Sequence, residues 1–210
     1  MVSYGYTYAG SLLAGGAVVT YLAGWPWAIP FFILAAFCLN FFRDPERQAP
    51  EGPVAVSPAD GKVVAVGPDK AGQRISIFLN VFDVHVNRTP IPGKIACITY
   101  KKGEFLVASK PEASSANEQN VITVDGVVGG KPVRVVFSQI AGLIARRIIC
   151  YKKPGDIVSA AERVGLIKFG SRVDVVLGPE WEVTVRPGQR VSAGTSVIAK
   201  VGSFEPKTPG

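Results

Sequence analysis

Hydrophobic and polar positions along this chain fall into two regimes. From Tyr8 to Ala23 and from Trp27 to Phe42 the residues are apolar on every side, with Gly24-Trp25-Pro26 between them, and no Asp, Glu, Lys, Arg or His stands before Arg43. Runs without a polar face predict helices that cover their whole circumference with something other than water. Each run is shorter than the roughly 20 residues that a perpendicular spanning helix needs. Tyr4, Tyr6, Tyr8, Trp25 and Trp27 are placed as interfacial anchors, and Arg43 and Arg47 follow as a positive flank. The expectation is an N-terminal hydrophobic helical hairpin, residues 1–42, holding the chain at a bacterial-type cell membrane with both ends on the cytoplasmic side. A shallow monotopic anchor is the alternative. A signal peptide would open on a positive segment, and this start has none.

After Pro50 the period shortens to that of strands. Val54-Ala55-Val56, Gly61 to Val66, Ile75 to Leu79, Val121 to Val124, Val133 to Phe137 and Trp181 to Val185 are short, rich in β-branched residues and separated by Gly and Pro. They predict a mainly β domain over 43–210, of the lipoyl-like or barrel-like kind. Ser57 to Val63 and Arg186 to Thr195 read as matching turn-plus-strand units, with no modifiable Lys at a hairpin tip to make a carrier. Ala113 to Asn120 reads as a polar loop near the substrate. Ile140 to Ile149, apolar with a basic pair, is left open between strand and helix.

Charge and composition narrow the chemistry. With 23 Lys and Arg against 16 Asp and Glu, the net charge is +7, all of it behind the apolar leader. A basic domain placed there suits an anionic membrane surface, at about 1 kcal/mol for each Lys or Arg near it. No interleaved basic and aromatic stripe points to nucleic acid. The three cysteines, Cys38, Cys97 and Cys150, are odd in number and widely spaced, which argues against a disulfide framework and a structural zinc site. A single histidine, His85, excludes the multi-His centre of a zinc peptidase, so no metal is expected.

Two β runs, Leu166 to Phe169 and Arg172 to Val175, meet at Gly170-Ser171. Glycine leaves its carbonyl unshielded and tolerates a distorted backbone, so in a strained turn the Ser171 hydroxyl can reach the Gly170 carbonyl and move the acyl group from nitrogen to oxygen. An ordinary turn has the same two residues. Ser171, His85 and Asp60 also supply the residue types of a hydrolase triad, but no G-x-S-x-G elbow surrounds the serine.

Phe169 to Val175, together with Phe41-Phe42-Arg43-Asp44-Pro45, Ser57 to Val63 and Asn80 to Arg88, resembles the short-form phosphatidylserine decarboxylase proenzymes from about Phe41 to the end. The resemblance implies cleavage between Gly170 and Ser171, giving a β chain of residues 1–170 and an α chain of residues 171–210 that pair as a heterodimer. Residue 171 then carries a self-generated pyruvoyl cofactor. It implies that Asp60 orients His85, and that His85 takes the proton from Ser171. It implies further that the pyruvoyl group forms a Schiff base with phosphatidylserine in the membrane, loses CO2 and releases phosphatidylethanolamine. Longer members have another His where Phe82 stands here, which leaves the proton donor open. Arg88, Arg146, Arg147, Lys168 and Arg172 are the candidates for binding the anionic headgroup. A homo-oligomer is left open. The competing reading is a membrane-tethered lipoyl-like binding or scaffold module in which Gly170-Ser171 is an inert turn.

Overall fold

The computed structural model describes residues 2–108, 112–143, 147–168 and 170–202. The chain divides into two compact units after Glu46, and Val81–Val84 belongs with the N-terminal one.

The first unit is a pair of helices, α1 (Ser3–Ala23) and α2 (Trp25–Phe41). Gly24, at φ 96°, makes the turn between them, and Pro26 sits in the first turn of α2, where its missing N–H would have had no helical partner. Small residues bring the helices close: Gly5, Ala9 and Gly16 are buried on α1, and Ala28 and Ala35 on α2. A Cβ on Gly16 would stand 3.1 Å from the Phe32 ring. Tyr21, Trp25 and Trp27 at the tip are largely exposed. At the other end the Val2 N–H donates to the Phe42 carbonyl at 3.0 Å, and Arg43 Nη2 to the Phe82 carbonyl at 2.6 Å. The expected hairpin is thus present. No helix among the described residues is long and apolar enough to cross a membrane. α1 is diluted by Gly, Ser, Thr and Tyr, and the 17 residues of α2 fall short of the bilayer core.

The second unit is β. Its strands are β1 (Val54–Val56), β2 (Gly61–Asp69), β3 (Gly72–Leu79), β4 (Val86–Arg88), β5 (Gly93–Lys101), β6 (Gln119–Val128), β7 (Lys131–Ile140), β8 (Arg147–Cys150), β9 (Ile157–Val158), β10 (Arg163–Lys168), β11 (Ser171–Leu177), β12 (Trp181–Val183), β13 (Arg190–Val191) and β14 (Val197–Val201). An eight-stranded antiparallel sheet runs β13-β2-β3-β11-β7-β6-β5-β9 and curls into a half-barrel. Two three-stranded sheets, β1-β14-β12 and β4-β10-β8, complete the unit.

Alternation along the strands makes the core. Ile75, Ile77 and Leu79 of β3, Val135 and Phe137 of β7, Ile122 and Val124 of β6, and Val173, Val175 and Leu177 of β11 are fully buried on one face. Each side chain of this size contributes about 1.5–3 kcal/mol on burial. Where two backbones approach most closely a side chain is impossible. A Cβ on Gly165 would lie 1.9 Å from the Ile149 carbonyl oxygen across the β10–β8 pair.

The two runs around Gly170-Ser171 are β10 and β11, as the pattern predicts, but they do not pair with each other. β10 lies between β4 and β8, and β11 lies between β3 and β7. The Gly-Ser step is where the chain passes from one sheet to the other. Ala113 to Asn120 differs from the expected polar loop: it holds a short helix, α3 (Ala113–Ala116), and the first residues of β6. Ser114 Oγ secures it by donating to Asp174 Oδ2 at 2.7 Å. The open stretch Ile140 to Ile149 ends in strand β8.

Candidate active site

Ser171 is the first residue of β11, opposite Leu79 on β3, and is completely buried. Counting by twos along β11 puts it on the core face with Val173 and Val175. Its Oγ has no hydrogen-bond partner among the described residues. Gly170, just before it, has φ 58°, a left-handed conformation that favours glycine. A hydroxyl kept out of water without a partner forgoes roughly 1–3 kcal/mol, and this one follows a backbone corner open to little but glycine.

His85 is 1% exposed and immediately precedes β4. Its carbonyl accepts the Ile167 N–H at 3.4 Å, and the next residue, Val86, is in register with Leu166. The strand that leads to the Gly-Ser corner therefore runs along the backbone of His85. Asp60 sits in the turn before β2, where its carboxylate accepts from the Ala193 N–H at 2.7 Å and from Arg47 Nη2 at 3.1 and 3.4 Å. Arg47, which reads from sequence as part of a membrane flank, is thus an ion-pair partner of Asp60, with both side chains largely buried. Beside them the Pro58 carbonyl accepts the Arg88 N–H at 2.9 Å, so the Asp60 turn and the strand after His85 share a backbone contact.

The candidate headgroup cations are sorted by their partners. Arg88 is buried, and its Nη1 donates to the Ala161 carbonyl at 3.0 Å. The loop it holds is braced by Glu162, whose carboxylate accepts from Lys152 and from the Ser159 N–H. The Lys152 ammonium, then that N–H, hold the Glu162 carboxyl below the usual range. Arg172 is buried on the face of β11 opposite Ser171: Nε donates to Asp174 Oδ1 at 2.6 Å and Nη2 to Ser76 Oγ at 2.6 Å. Lys168 is buried at the end of β10, in register with Arg147 on β8, and Arg147 is exposed. Arg146 lies outside the described residues.

Sequence reasoning missed a row of buried amides. Asn120 Nδ2 donates to Gln139 Oε1 at 3.1 Å, and Gln139 Nε2 donates to Asn87 Oδ1 at 2.9 Å. Gln139 faces Val173, one same-face position along from Ser171. The legible signal was a polar residue at a core position of an otherwise apolar face, as at Gln139, which follows Val133, Val135 and Phe137 by twos along β7. Among the described residues no cluster of His, Cys, Asp and Glu is fit to hold a metal ion.

A helical pair and a mainly β unit, the latter with a buried serine at its sheet-to-sheet corner, can be set against known proteins. The family model described as phosphatidylserine decarboxylase matches residues 34–199. A phosphatidylserine decarboxylase proenzyme of Solibacter usitatus is 63% identical over 200 residues, covering 95% of this chain and 96% of the relative. Proenzymes of the same name from Nitrosomonas europaea, 43% identical over 203 residues, and Cupriavidus taiwanensis, 41% over 200, cover 93% and 90% of this chain and 93% and 92% of themselves. These matches define the class of protein, a decarboxylase made as a proenzyme. The chain belongs to the phosphatidylserine decarboxylase family.

Proposed function

We propose that this chain cuts itself between Gly170 and Ser171 and, once cut, decarboxylates phosphatidylserine to phosphatidylethanolamine at a membrane surface. The observation that carries this reading is the fully buried Ser171 hydroxyl, without a partner among the described residues, directly after the left-handed Gly170. Family membership accords with it.

In the cleavage, Ser171 Oγ adds to the Gly170 carbonyl carbon, with His85 receiving the hydroxyl proton and Asp60 acting as its orienting acid. Burial serves the step by keeping water, the competing nucleophile, away from the Gly170 carbonyl carbon. Residue 171 fits a pyruvoyl cofactor, since the group is made from that residue's own atoms and needs no further cavity. When present, it supplies a carbonyl for the amine of a serine headgroup and a sink for the electrons released with CO2. The two products, residues 1–170 and 171–210, stay together because β11 lies between β3 and β7 in the large sheet. Arg147 is exposed at the end of β8 and is the cation we assign to the lipid phosphate, with Lys168 in register across from it. Arg88 and Arg172 instead hold protein groups in place. Residues 1–42 serve as the anchor, with the β unit on the cytoplasmic face.

Intact mass measurement of the purified, denatured protein tests the reading. Two species, 1–170 and 171–210, are expected, the smaller with a pyruvoyl start, and Ser171→Ala gives one uncut chain. A folded wild-type chain that remains whole overturns the proposal and favours an inert membrane-tethered module.

A further inference from the structure

Gly142 follows β7, and its φ does not lie in the left-handed region, so its backbone does not call for glycine. Space does. A Cβ there would stand 2.3 Å from the Gly170 carbonyl oxygen, 3.4 Å from the Gly170 carbonyl carbon and 3.1 Å from Ala108 Cβ. The carbonyl of the proposed cleavage bond is therefore seated on the bare Cα of Gly142.

One buried side chain holds that seat. Asn117, 1% exposed, donates from Nδ2 to the Ala141 carbonyl at 2.8 Å and to the Leu106 carbonyl at 2.9 Å, while Oδ1 accepts the Leu106 N–H at 2.9 Å. A single amide so links Leu106, two residues before Ala108, to the residue before Gly142. The backbone around it is tied as well: the Glu118 carbonyl accepts the Ala141 N–H at 2.9 Å, and Glu104 exchanges backbone bonds with Ala116 and Glu118 at 2.8 and 3.0 Å. Gly103 lies against this turn so closely that a Cβ would meet the Ala116 carbonyl oxygen at 2.3 Å.

We infer that Asn117, acting through Gly142, is a positioning residue for self-cleavage: it fixes the plane of the Gly170–Ser171 peptide so that Oγ meets the carbonyl carbon. The inference rests on the cleavage reading proposed above. In the step it governs, the Oγ–C bond forms, the C–N bond breaks, and the hydroxyl proton passes to the released amine, leaving an ester. An attack of this kind depends on alignment, and a displacement of about 1 Å can cost about 100-fold in rate.

The test uses the full chain in detergent, comparing wild type, Gly142→Ala, Asn117→Asp and Asn117→Ala, with Ser171→Ala as the uncut reference. Cleavage half-time is followed by intact mass, with and without hydroxylamine, which cuts an ester at residue 170 but not an amide, and thermal midpoints are measured alongside. Gly142→Ala is expected to slow cleavage about 100-fold or more, and each Asn117 variant at least about 10-fold, with midpoints close to that of Ser171→Ala. Hydroxylamine releases 1–170 from the three variants more slowly by the same factors, because the ester itself forms slowly. Cleavage within about 3-fold of wild type, or hydroxylamine cutting the variants as fast as wild type, overturns the inference. Should Gly142→Ala melt far below the reference, the Asn117 variants decide, and cleavage losses that merely track lost melting temperature overturn it too. A wild type that is never cut sinks the cleavage reading itself, whereas a cut wild type with normally cut variants sinks only the role of Asn117 and Gly142.

Discussion

Replacing Gln139 by leucine removes the middle of the buried amide row beside Ser171. Gln139 is completely buried, accepts from Asn120 Nδ2 at 3.1 Å and donates to Asn87 Oδ1 at 2.9 Å. Leucine has nearly the same volume but leaves one donor, on Asn120, and one acceptor, on Asn87, buried and unpaired. Each such group costs about 1–3 kcal/mol, and the added apolar surface returns about 1 kcal/mol. The expected loss is about 3 kcal/mol, or about 6–12 °C in melting temperature for a chain of this size. The measurement belongs in a Ser171→Ala background, where a single uncut chain unfolds, by denaturant titration with a thermal scan beside it. Asn87→Leu on its own strands Gln139 Nε2 but also removes Asn87 Nδ2, which is buried without a partner among the described residues. The double variant then has less left to lose, and a coupling of about 1 kcal/mol or more is expected. Single and double variants that add within about 0.5 kcal/mol, or a Gln139→Leu chain as stable as its parent, would refute the reasoning that these amides act as one network.

Two further outcomes follow from the same partners. Because Lys152 and the Ser159 N–H hold the folded Glu162 carboxyl below its ordinary value, the contribution is fully present above the unfolded carboxyl pKa, about 4.3, and fades as pH falls through the lower folded value. Stability measured from pH 6 downward should therefore fall less steeply in Glu162→Gln, and an unchanged slope speaks against the pair. Asp60→Asn retains an acceptor for the Ala193 N–H but loses the charge facing Arg47, a partly buried pair of the order of 1–3 kcal/mol. If Asp60 also orients His85, cleavage slows by about 100-fold or more beyond any change in melting; cleavage at the wild-type rate confines Asp60 to the ion pair.

Much of this protein is written in short-range pattern. An apolar stretch without one charge up to Arg43 has no option but helices packed through Gly and Ala, and alternation of β-branched residues fixes which face of β3, β7 and β11 turns inward. Gly170-Ser171 stands out in sequence because a hydroxyl directly after an unshielded carbonyl suits the backbone chemistry proposed for it, and its setting between two β runs follows from period alone. Tertiary structure decided what those runs pair with. β10 goes to β4 and β8 while β11 goes to β3 and β7, so the corner between them joins two sheets and is not a hairpin turn. The same holds for Arg47, 13 residues from Asp60, and for Asn117, 24 from Ala141. Gly142 gives no sign in sequence that it differs from any loop glycine, since what excludes a side chain there is the carbonyl of Gly170. Local propensity acts over a few residues and is readable in order. Steric exclusion and buried hydrogen bonds act between atoms that only the folded chain brings together, and these decide how the Gly170 carbonyl is held.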